Sequence, residues 1–171
     1  MVRTPVVTVT ELGSFCMKPS LFINPSKEAV GRALDSWRWL PIEGRTPVLV
    51  TAFGDIFFEG NDGIWFLDTL EGTLEKVCVT REELSGILAS EEAEDRYCLA
   101  GFVERAHREG MVLGDAQCYD FTLHPVVGGK IEYSNIQPRD FVLAVHIAGQ
   151  LHEHVRDLPP GIKISHFVFK Q

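Results

Sequence analysis

The sequence predicts an α+β fold, with an antiparallel meander sheet packed with three to four helices in a single domain. Three short apolar runs separated by turn residues predict the meander. Helical patterns lie before and after these runs without regular strand–helix alternation, which favours an antiparallel sheet over a parallel one. A length of 171 residues is sufficient for one domain with a substantial core.

The N-terminal part contains one predicted helix and one predicted strand. Asn24 is suited to cap the helix, and the apolar positions that follow it recur at helical spacing as far as Trp37. Proline steps then lead into a strand over 48–52. We expect Trp37 to lie in the core, whereas the sequence leaves the exposure of Trp39 and Trp65 open.

The meander itself follows directly. Its strands are predicted over 56–58, 64–67 and 74–79, which are rich in aromatic and β-branched residues. The turns at 60–63 and 68–72 contain Gly, Asn and Asp, which tolerate positive φ. These two turns also carry acidic side chains.

Two helices are predicted after the meander. Thr80 and Glu83 have the spacing of a capping box, which begins a short helix that runs to about position 89. A second helix is predicted over 91–109, with Gly110 as its C-terminal cap.

The last third of the chain is predicted to contain two more strands and a helix. The strands are expected over 118–123 and 130–133, and Pro138 is expected to begin the helix, whose apolar stripe includes His152. A terminal apolar run at 162–169 has the composition of an edge strand that either closes the sheet or pairs in a homodimer, so monomer and homodimer stay open.

Charge is distributed unevenly along the chain. Residues 54–95 carry twelve acidic side chains against two basic ones, although the net charge of the whole chain is −8. A surface of this kind disfavours direct binding to nucleic acid, because phosphates require a basic surface. It suits a basic protein partner, although acidic residues that only solvate one face give the same pattern.

The expected compartment is the cytoplasm. The first fifteen residues lack an apolar run of signal-peptide length, and no stretch approaches a membrane span. The four cysteines are widely separated and include no Cys-x-x-Cys pair, which favours reduced thiols.

The histidines near the end of the chain do not have the spacing of a metal site. Side chains two residues apart on a helix, such as His152 and His154, point about 200° apart. A His-Glu-x-x-His motif would need histidine where Arg156 stands, and His146 falls beside Gln150 rather than His152. We therefore predict no metal and no cofactor, with His152 at the core edge and His154 exposed.

Catalytic motifs are also missing from the sequence. There is no Gly-x-Ser-x-Gly, phosphate loop or dinucleotide fingerprint. A Cys118–His124 pair is conceivable, but a cysteine in an apolar strand is usually unreactive. Carboxylate pairs in the two hairpin turns are more typical of turn formation than of acid–base chemistry. The sequence therefore predicts a protein that is not an enzyme.

An ordered set of short motifs resembles one known family. These motifs are Phe53-Gly54-Asp55-Ile56-Phe57-Phe58, Leu67-Asp68-Thr69-x-x-Gly72, Cys118-Tyr119, Pro125-Val126-Val127-Gly128-Gly129, Gly149-Gln150-Leu151-His152 and Leu158-Pro159-Pro160-Gly161. Together they resemble the type VI secretion DNase-immunity family, whose domain was formerly of unknown function and often follows a GAD-like region. The similarity covers roughly residues 45–165. Residues 1–45 resemble a shortened end of the GAD-like region, and 46–165 would form the core of the single domain.

The resemblance implies a non-catalytic antitoxin that binds and neutralises a cognate nuclease effector in the bacterial cytoplasm. We hypothesise that the acidic hairpins cover the DNA-binding surface of this toxin. The candidate partner-binding residues are Asp55, Glu59, Asp62, Trp65, Asp68 and Glu71. Two other classes stay open: a small-ligand or metal-binding module that uses the 125–129 loop and nearby histidines, and an enzyme of unrecognised type.

Overall fold

A computed structural model describes residues 19–159, which contain seven strands and five α-helices. The strands are β1 (Phe22–Ile23), β2 (Thr46–Thr51), β3 (Ile56–Gly60), β4 (Gly63–Asp68), β5 (Thr73–Cys78), β6 (Gln117–Phe121) and β7 (Ile136–Asp140). The helices are α1 (Lys27–Leu34), α2 (Arg81–Ile87), α3 (Glu91–Cys98), α4 (Ala100–Arg108) and α5 (Phe141–Val155). The predicted α+β class is confirmed. The predictions for the first fifteen residues and for 162–169 lie outside the described residues.

Strands β1 to β5 form one antiparallel sheet in chain order, so the predicted meander is confirmed. Strands β6 and β7 form a separate antiparallel pair. The two sheets are joined where the Tyr119 amide donates to the Ala52 carbonyl at 2.7 Å. Within residues 19–159, no helix combines the length and the apolar character needed to cross a membrane.

Both faces of the meander are buried, which explains why its central strands read as continuous apolar runs. Phe57 and Phe66 stand opposite each other and pack into a cluster with residues of α2, α3, α4 and β6. Ile56 and Leu67 form the next pair and belong to the cluster on the other face, with residues of α1 and α5. The sheet is therefore the central layer of the domain.

Helix α5 packs closely against the segment that follows α1. Trp37 lies in a short 3-10 helix (Asp35–Trp37), is fully buried as predicted, and donates from Nε1 to the Val145 carbonyl at 2.9 Å. Gly149 is required at this crossing, because a Cβ there would overlap the Ser36 hydroxyl and the Trp37 ring. The N-terminal elements are thus part of the same core.

The predicted N-terminal cap is confirmed for α2 but is wrong for α1. The Thr80 hydroxyl accepts from the Glu83 amide at 3.2 Å, and the Glu83 carboxylate accepts from the Val79 amide at 2.8 Å, which confirms the capping box. Helix α1 is capped by Ser26 rather than by Asn24, because the Ser26 hydroxyl reaches an amide of the first turn.

The prediction of one continuous helix over 91–109 is wrong. Leu99 adopts φ 50°, which ends α3 and begins α4 in a new direction. The Asp95 carboxylate accepts from the Gly101 amide at 3.0 Å and so caps the second helix. Gly110, with φ 79°, follows the end of α4 as predicted.

The predictions of a strand over 130–133 and of a helix that begins at Pro138 are also wrong. Pro138 lies in the middle of β7, opposite Tyr119, on a strand that has only one neighbour within the described residues. A proline is tolerated there because its missing N–H can face away from the ladder. Helix α5 begins at Phe141 instead, where Asp140 caps it by accepting from the Leu143 amide at 2.9 Å.

Candidate functional site

The β3–β4 hairpin carries two of the predicted partner-binding residues, Asp62 in the turn and Trp65 in β4. The Asp62 carboxylate accepts from Trp65 Nε1 at 2.9 Å, and this hydrogen bond lowers the pKa of Asp62. The Arg45 guanidinium lies over the Trp65 ring, 4.3 Å from its centroid. Trp65 is therefore partly buried, with its N–H and one face already occupied within the chain.

Glu59, at the end of β3, is held in an exposed ion pair. Arg81 Nε and Nη2 donate to its two carboxylate oxygens at 3.1 and 2.5 Å, and these hydrogen bonds lower the pKa of Glu59. Arg96 Nη2 donates a single hydrogen bond to the Glu75 carboxylate at 3.1 Å. These pairs connect α2 and α3 to the sheet and compensate part of the acidic charge.

The β4–β5 turn carries Asp68 and Glu71. The Asp68 carboxylate accepts from the Leu70 and Glu71 amides at 2.9 and 2.8 Å, so it forms the turn as its position in the sequence suggests. The Glu71 side chain is exposed, and it makes no ion pair with the residues that the structure describes. Its charge is thus available to a partner.

Asp55 does not belong to the predicted partner surface. Its residue is only 5% exposed, and its carboxylate points to the β4–β5 turn rather than to solvent. Asp55 is drawn inward because the tight turn between β2 and β3 is closed by hydrogen bonds to Thr51. A partner at the surface cannot reach this carboxylate.

Thr69 is the centre of a buried polar network. Its amide and its hydroxyl donate to Asp55 Oδ1 at 2.8 and 2.7 Å, and the Thr51 hydroxyl donates to Asp55 Oδ2 at 3.1 Å. On the other side, His152 Nε2 lies 3.1 Å from both the Thr69 and the Leu70 carbonyl oxygens. The neutral His152 ring therefore carries its proton on Nε2 and holds the β4–β5 turn against α5.

His124 completes this group, which we call the Thr69 network: Thr51, Asp55, Thr69, His124 and His152. The His124 and His152 rings are perpendicular, with centroids 5.3 Å apart. Burial and the neighbouring His152 lower the pKa of His124 to about 4, and burial also lowers the pKa of His152. Both rings are consequently neutral at pH 7.

Asp55 is shifted in the opposite direction. Burial, followed by the nearby charge of Asp68, raises the pKa of Asp55 to about 7, although the hydrogen bonds from Thr69 and Thr51 favour its ionised form. Buried groups with displaced pKa values are candidates for a functional site, but structural networks produce the same shifts.

The volume of the cavity beside the Thr69 network distinguishes a ligand-binding site from a structural network. The cavity lined by Asp55, Thr69 and His124 has a volume of about 20 Å³, which is room for about one water molecule. Pockets that bind small ligands have volumes of several hundred Å³. We therefore interpret the Thr69 network as a structural device that fixes the β4–β5 turn.

A larger cleft lies on the solvent side of His152. It has a volume of about 440 Å³, and we call it the Trp39 cleft. Its lining includes Trp39, Leu70, Glu71, Pro125, His152 and Arg156. The 125–129 loop named in the sequence analysis thus contributes to an open site together with one of the predicted acidic residues.

The other candidate side chains are placed as follows. Cys118 is fully buried, and burial raises the pKa of its thiol, which makes it a poor nucleophile. His146 lies 2.7 Å from Gln150, and His154 is exposed, as predicted. Within residues 19–159, no three His, Cys, Asp or Glu side chains are grouped so as to hold a metal ion.

Several acids of the 54–95 segment have local roles, whereas others face solvent. Asp95 and Glu83 cap helix ends. Four exposed acids of this segment make neither an ion pair nor a side-chain hydrogen bond within the described part of the chain: Glu71, Glu82, Glu91 and Glu92. We call these four exposed carboxylates, one in the β4–β5 turn and three in α2 and α3, the acidic surface.

Thr51 and Thr69 could not be identified from the sequence as members of the Thr69 network. Thr69 forms its bonds with Asp55, fourteen residues earlier, and with His152, eighty-three residues later. No local pattern predicts such distant pairs. The apolar stripe of the last helix did place His152 at the core edge, but it did not indicate what the ring would bind.

Comparisons with known proteins found similarity to solved structures but no matching family. No protein-family model matches the sequence, and no curated protein matches it. Among solved structures, the chain is similar to Atu4351 from Agrobacterium tumefaciens, with a TM-score of 0.47 and 24% sequence identity. The similarity covers 75% of this chain and 65% of Atu4351, so this chain spans about two thirds of the length of that protein.

Proposed function

We propose that the protein is a non-catalytic immunity protein, which binds a nuclease effector of type VI secretion in the bacterial cytoplasm and prevents it from cutting DNA. The observation that carries this proposal is the acidic surface. Its carboxylates are exposed and lack ion pairs within the described residues. A nuclease that grips DNA presents a basic surface, and opposite charges accelerate association and select the partner.

Two observations on the candidate catalytic groups support a non-catalytic role. The displaced pKa values of Asp55 and His124 belong to the Thr69 network, whose cavity admits about one water molecule. Cys118 is buried and its thiol has a raised pKa. The family resemblance of the sequence agrees with a binding role in place of a catalytic one.

Co-expression with the nuclease-like protein encoded beside this chain tests the proposal. We expect intact chromosomal DNA and a complex that co-purifies. A double charge reversal, Glu71→Lys with Glu82→Lys, should slow association and restore DNA cleavage, most clearly at low salt. The matched control is Glu104→Lys with Asp115→Lys, which changes the net charge equally at exposed positions outside the 54–95 segment. Degraded DNA and no complex with the unaltered protein would contradict the proposal.

A small-ligand module is the second candidate. The volume of the Trp39 cleft, about 440 Å³, lies within the range of ligand pockets, and the 125–129 loop borders it. Native mass spectrometry of untagged protein tests this function. A retained small molecule or metal ion at one per chain would favour it over the immunity function.

A further inference from the structure

His152 has one ring nitrogen that the described part of the chain leaves without a partner. Its Nε2–H is shared between the carbonyl oxygens of Thr69 and Leu70, each at 3.1 Å. The neutral ring therefore keeps Nδ1 as a hydrogen-bond acceptor. This atom has no donor among residues 19–159, although His152 is only 6% exposed and lines the Trp39 cleft. Buried acceptors normally find a donor, so the donor for Nδ1 comes from the contents of the cleft.

Access to this nitrogen depends on Gly72, which lines the same cleft. A Cβ at this position would overlap Nδ1 and Cγ of the His152 ring, so any other residue would close over the acceptor. Glycine also suits the φ of +70° that the β4–β5 turn adopts here. The turn thus places a residue without a side chain against the free edge of the ring.

The rest of the cleft wall is largely apolar. Leu70 comes from the β4–β5 turn, Pro125 and Val126 from a short 3-10 helix, and Val155 from the last turn of α5. All four are partly buried and still expose some apolar surface. The cleft volume of about 440 Å³ is sufficient for one small molecule that carries an apolar group.

One acid and one base complete the lining, and both are exposed. Glu71 makes no ion pair within the described residues. Arg156 stacks over Trp39 at 5.5 Å from the ring centroid and donates from Nε to Asp157 at 3.2 Å, so its Nη groups stay available. The charges of Glu71 and Arg156 balance, which favours a ligand without net charge. A zwitterion pairs with both, because each of its charged ends meets an opposite charge.

We propose that the Trp39 cleft binds a free amino acid with an apolar side chain. The ammonium group donates to His152 Nδ1 and to the Glu71 carboxylate, and the carboxylate accepts from the Nη groups of Arg156. The apolar side chain lies against Val126 and Val155. An amino acid combines a donor, two opposite charges and an apolar group in a molecule of this size. This inference rests on the small-ligand function proposed above and does not depend on the immunity function.

Titration calorimetry of the untagged, full-length protein tests the ligand class. The probes are leucine, phenylalanine and tryptophan, and we expect at least one of them to bind. The amine that lacks the carboxylate and the acid that lacks the ammonium group are then compared with the tightest probe. For leucine these analogues are isoamylamine and 4-methylpentanoate. Each should bind at least about tenfold more weakly, because it leaves one charge of the cleft without its partner.

Substitutions at the rim of the cleft test the placement. Arg156→Gln should weaken binding about tenfold and Glu71→Gln about three- to tenfold, and both positions are exposed, so the fold should be kept. Val126→Trp fills the cleft and should abolish binding while both charges remain. Arg38→Gln and Glu43→Gln are the matched controls, since these exposed charges line a separate groove of about 680 Å³. They should stay within about twofold. Thermal unfolding without ligand shows whether each variant is folded.

The outcomes separate the site from the function on which it rests. If an amino acid binds the unaltered protein, and binds Arg156→Gln, Glu71→Gln and Val126→Trp within about twofold of that affinity, the site is wrong and the small-ligand function stands. Equal binding of the amine or the acid analogue would overturn the assignment to a zwitterion. If no probe binds but native mass spectrometry shows another retained molecule, the ligand class is wrong. If no probe binds and no molecule is retained, this inference and the small-ligand function are both contradicted.

Discussion

The β3–β4 turn and the β4–β5 turn have similar sequences but different relations to the rest of the molecule. Both combine glycine with acidic residues between apolar strands. The first stands at the surface, where its contacts are the Asp62–Trp65 bond and the Arg45 side chain. The second is held from inside by Asp55 and His152. The comparison teaches that partners distant in sequence, and not the turn residues, decide how firmly a turn is fixed.

The largest effect is expected from adding a methyl group at Gly72, where the β4–β5 turn packs against α5. Gly72 has φ +70°, and a Cβ there would overlap the His152 ring. Gly72→Ala should therefore lower the free energy of unfolding by about 3–4 kcal/mol, since it adds backbone strain to overpacking. Urea unfolding measures the loss.

Gly44→Ala is the matched control for this substitution. Gly44 has a similar φ of +77°, but a Cβ there would meet nothing within 4 Å. The substitution should cost only the backbone strain, about 1–2 kcal/mol. Equal losses for Gly44→Ala and Gly72→Ala would mean that contact with His152 contributes nothing.

A smaller but clear effect is expected from removing the carboxyl group that holds the β4–β5 turn. Asp55→Ala leaves the buried Thr69 amide and hydroxyl without their acceptor, and we expect a loss of about 2–3 kcal/mol in urea unfolding. Asp62→Ala in the β3–β4 turn is the comparison and should leave the unfolding midpoint close to that of the unaltered protein. If both variants lost the same stability, the two turns would be equally integrated.

The strands of the sheet were predictable because their residues repeat a local pattern. Runs such as that over 56–58 are apolar throughout because both faces of the sheet are covered, and the turns between them are marked by Gly and Asp. The break between α3 and α4 at Leu99 could not be predicted, because leucine rarely adopts the left-handed conformation and so does not mark a helix end in the sequence. Pro138 misled for a related reason, since proline suits the first turn of a helix and an outer strand equally well.

The sequence predicted the position of a candidate site residue only where its charge was sufficient to keep it at the surface. Glu71 is an exposed acid, as its turn position suggested. Asp55 is also an acid beside a turn, but it is buried. Its carboxylate accepts from the Thr69 amide, which is separated from it in sequence by strands β3 and β4. Trp39 and Trp65 were indistinguishable in sequence, but the Trp65 N–H is bound to Asp62, whereas the buried Trp39 N–H has no acceptor within residues 19–159.

The pH dependence of stability offers a subtler comparison within the Thr69 network. The pKa of Asp55 rises from 3.8 to about 7 on folding, so folding favours its protonated form and the stability it contributes is lost as pH rises between these values. The pKa of His124 falls from 6.5 to about 4, so its contribution is present above pH 6.5 and is lost on acidification toward pH 4. The two effects oppose each other between pH 4 and pH 6.5.

Asp55→Asn removes one of these opposing effects and keeps the shape of the side chain. The histidines then dominate, so the variant should lose stability on acidification from pH 7 to pH 5 more steeply than the unaltered protein. Urea unfolding midpoints at the two pH values measure this. A parallel shift of both midpoints would mean that Asp55 does not change its protonation on folding.

The smallest effect is expected at the ion pair beside the β3–β4 turn. Glu59 and Arg81 have side chains that are 43% and 61% exposed, so water and salt screen their attraction. Glu59→Gln should therefore leave the urea midpoint unchanged within error, and added salt should make no further difference. A loss as large as that of Asp55→Ala would show that the exposed turn is also held by a specific contact. The contrast between the two turns would then lie in the kind of interaction, buried or ionic, and no longer in its strength.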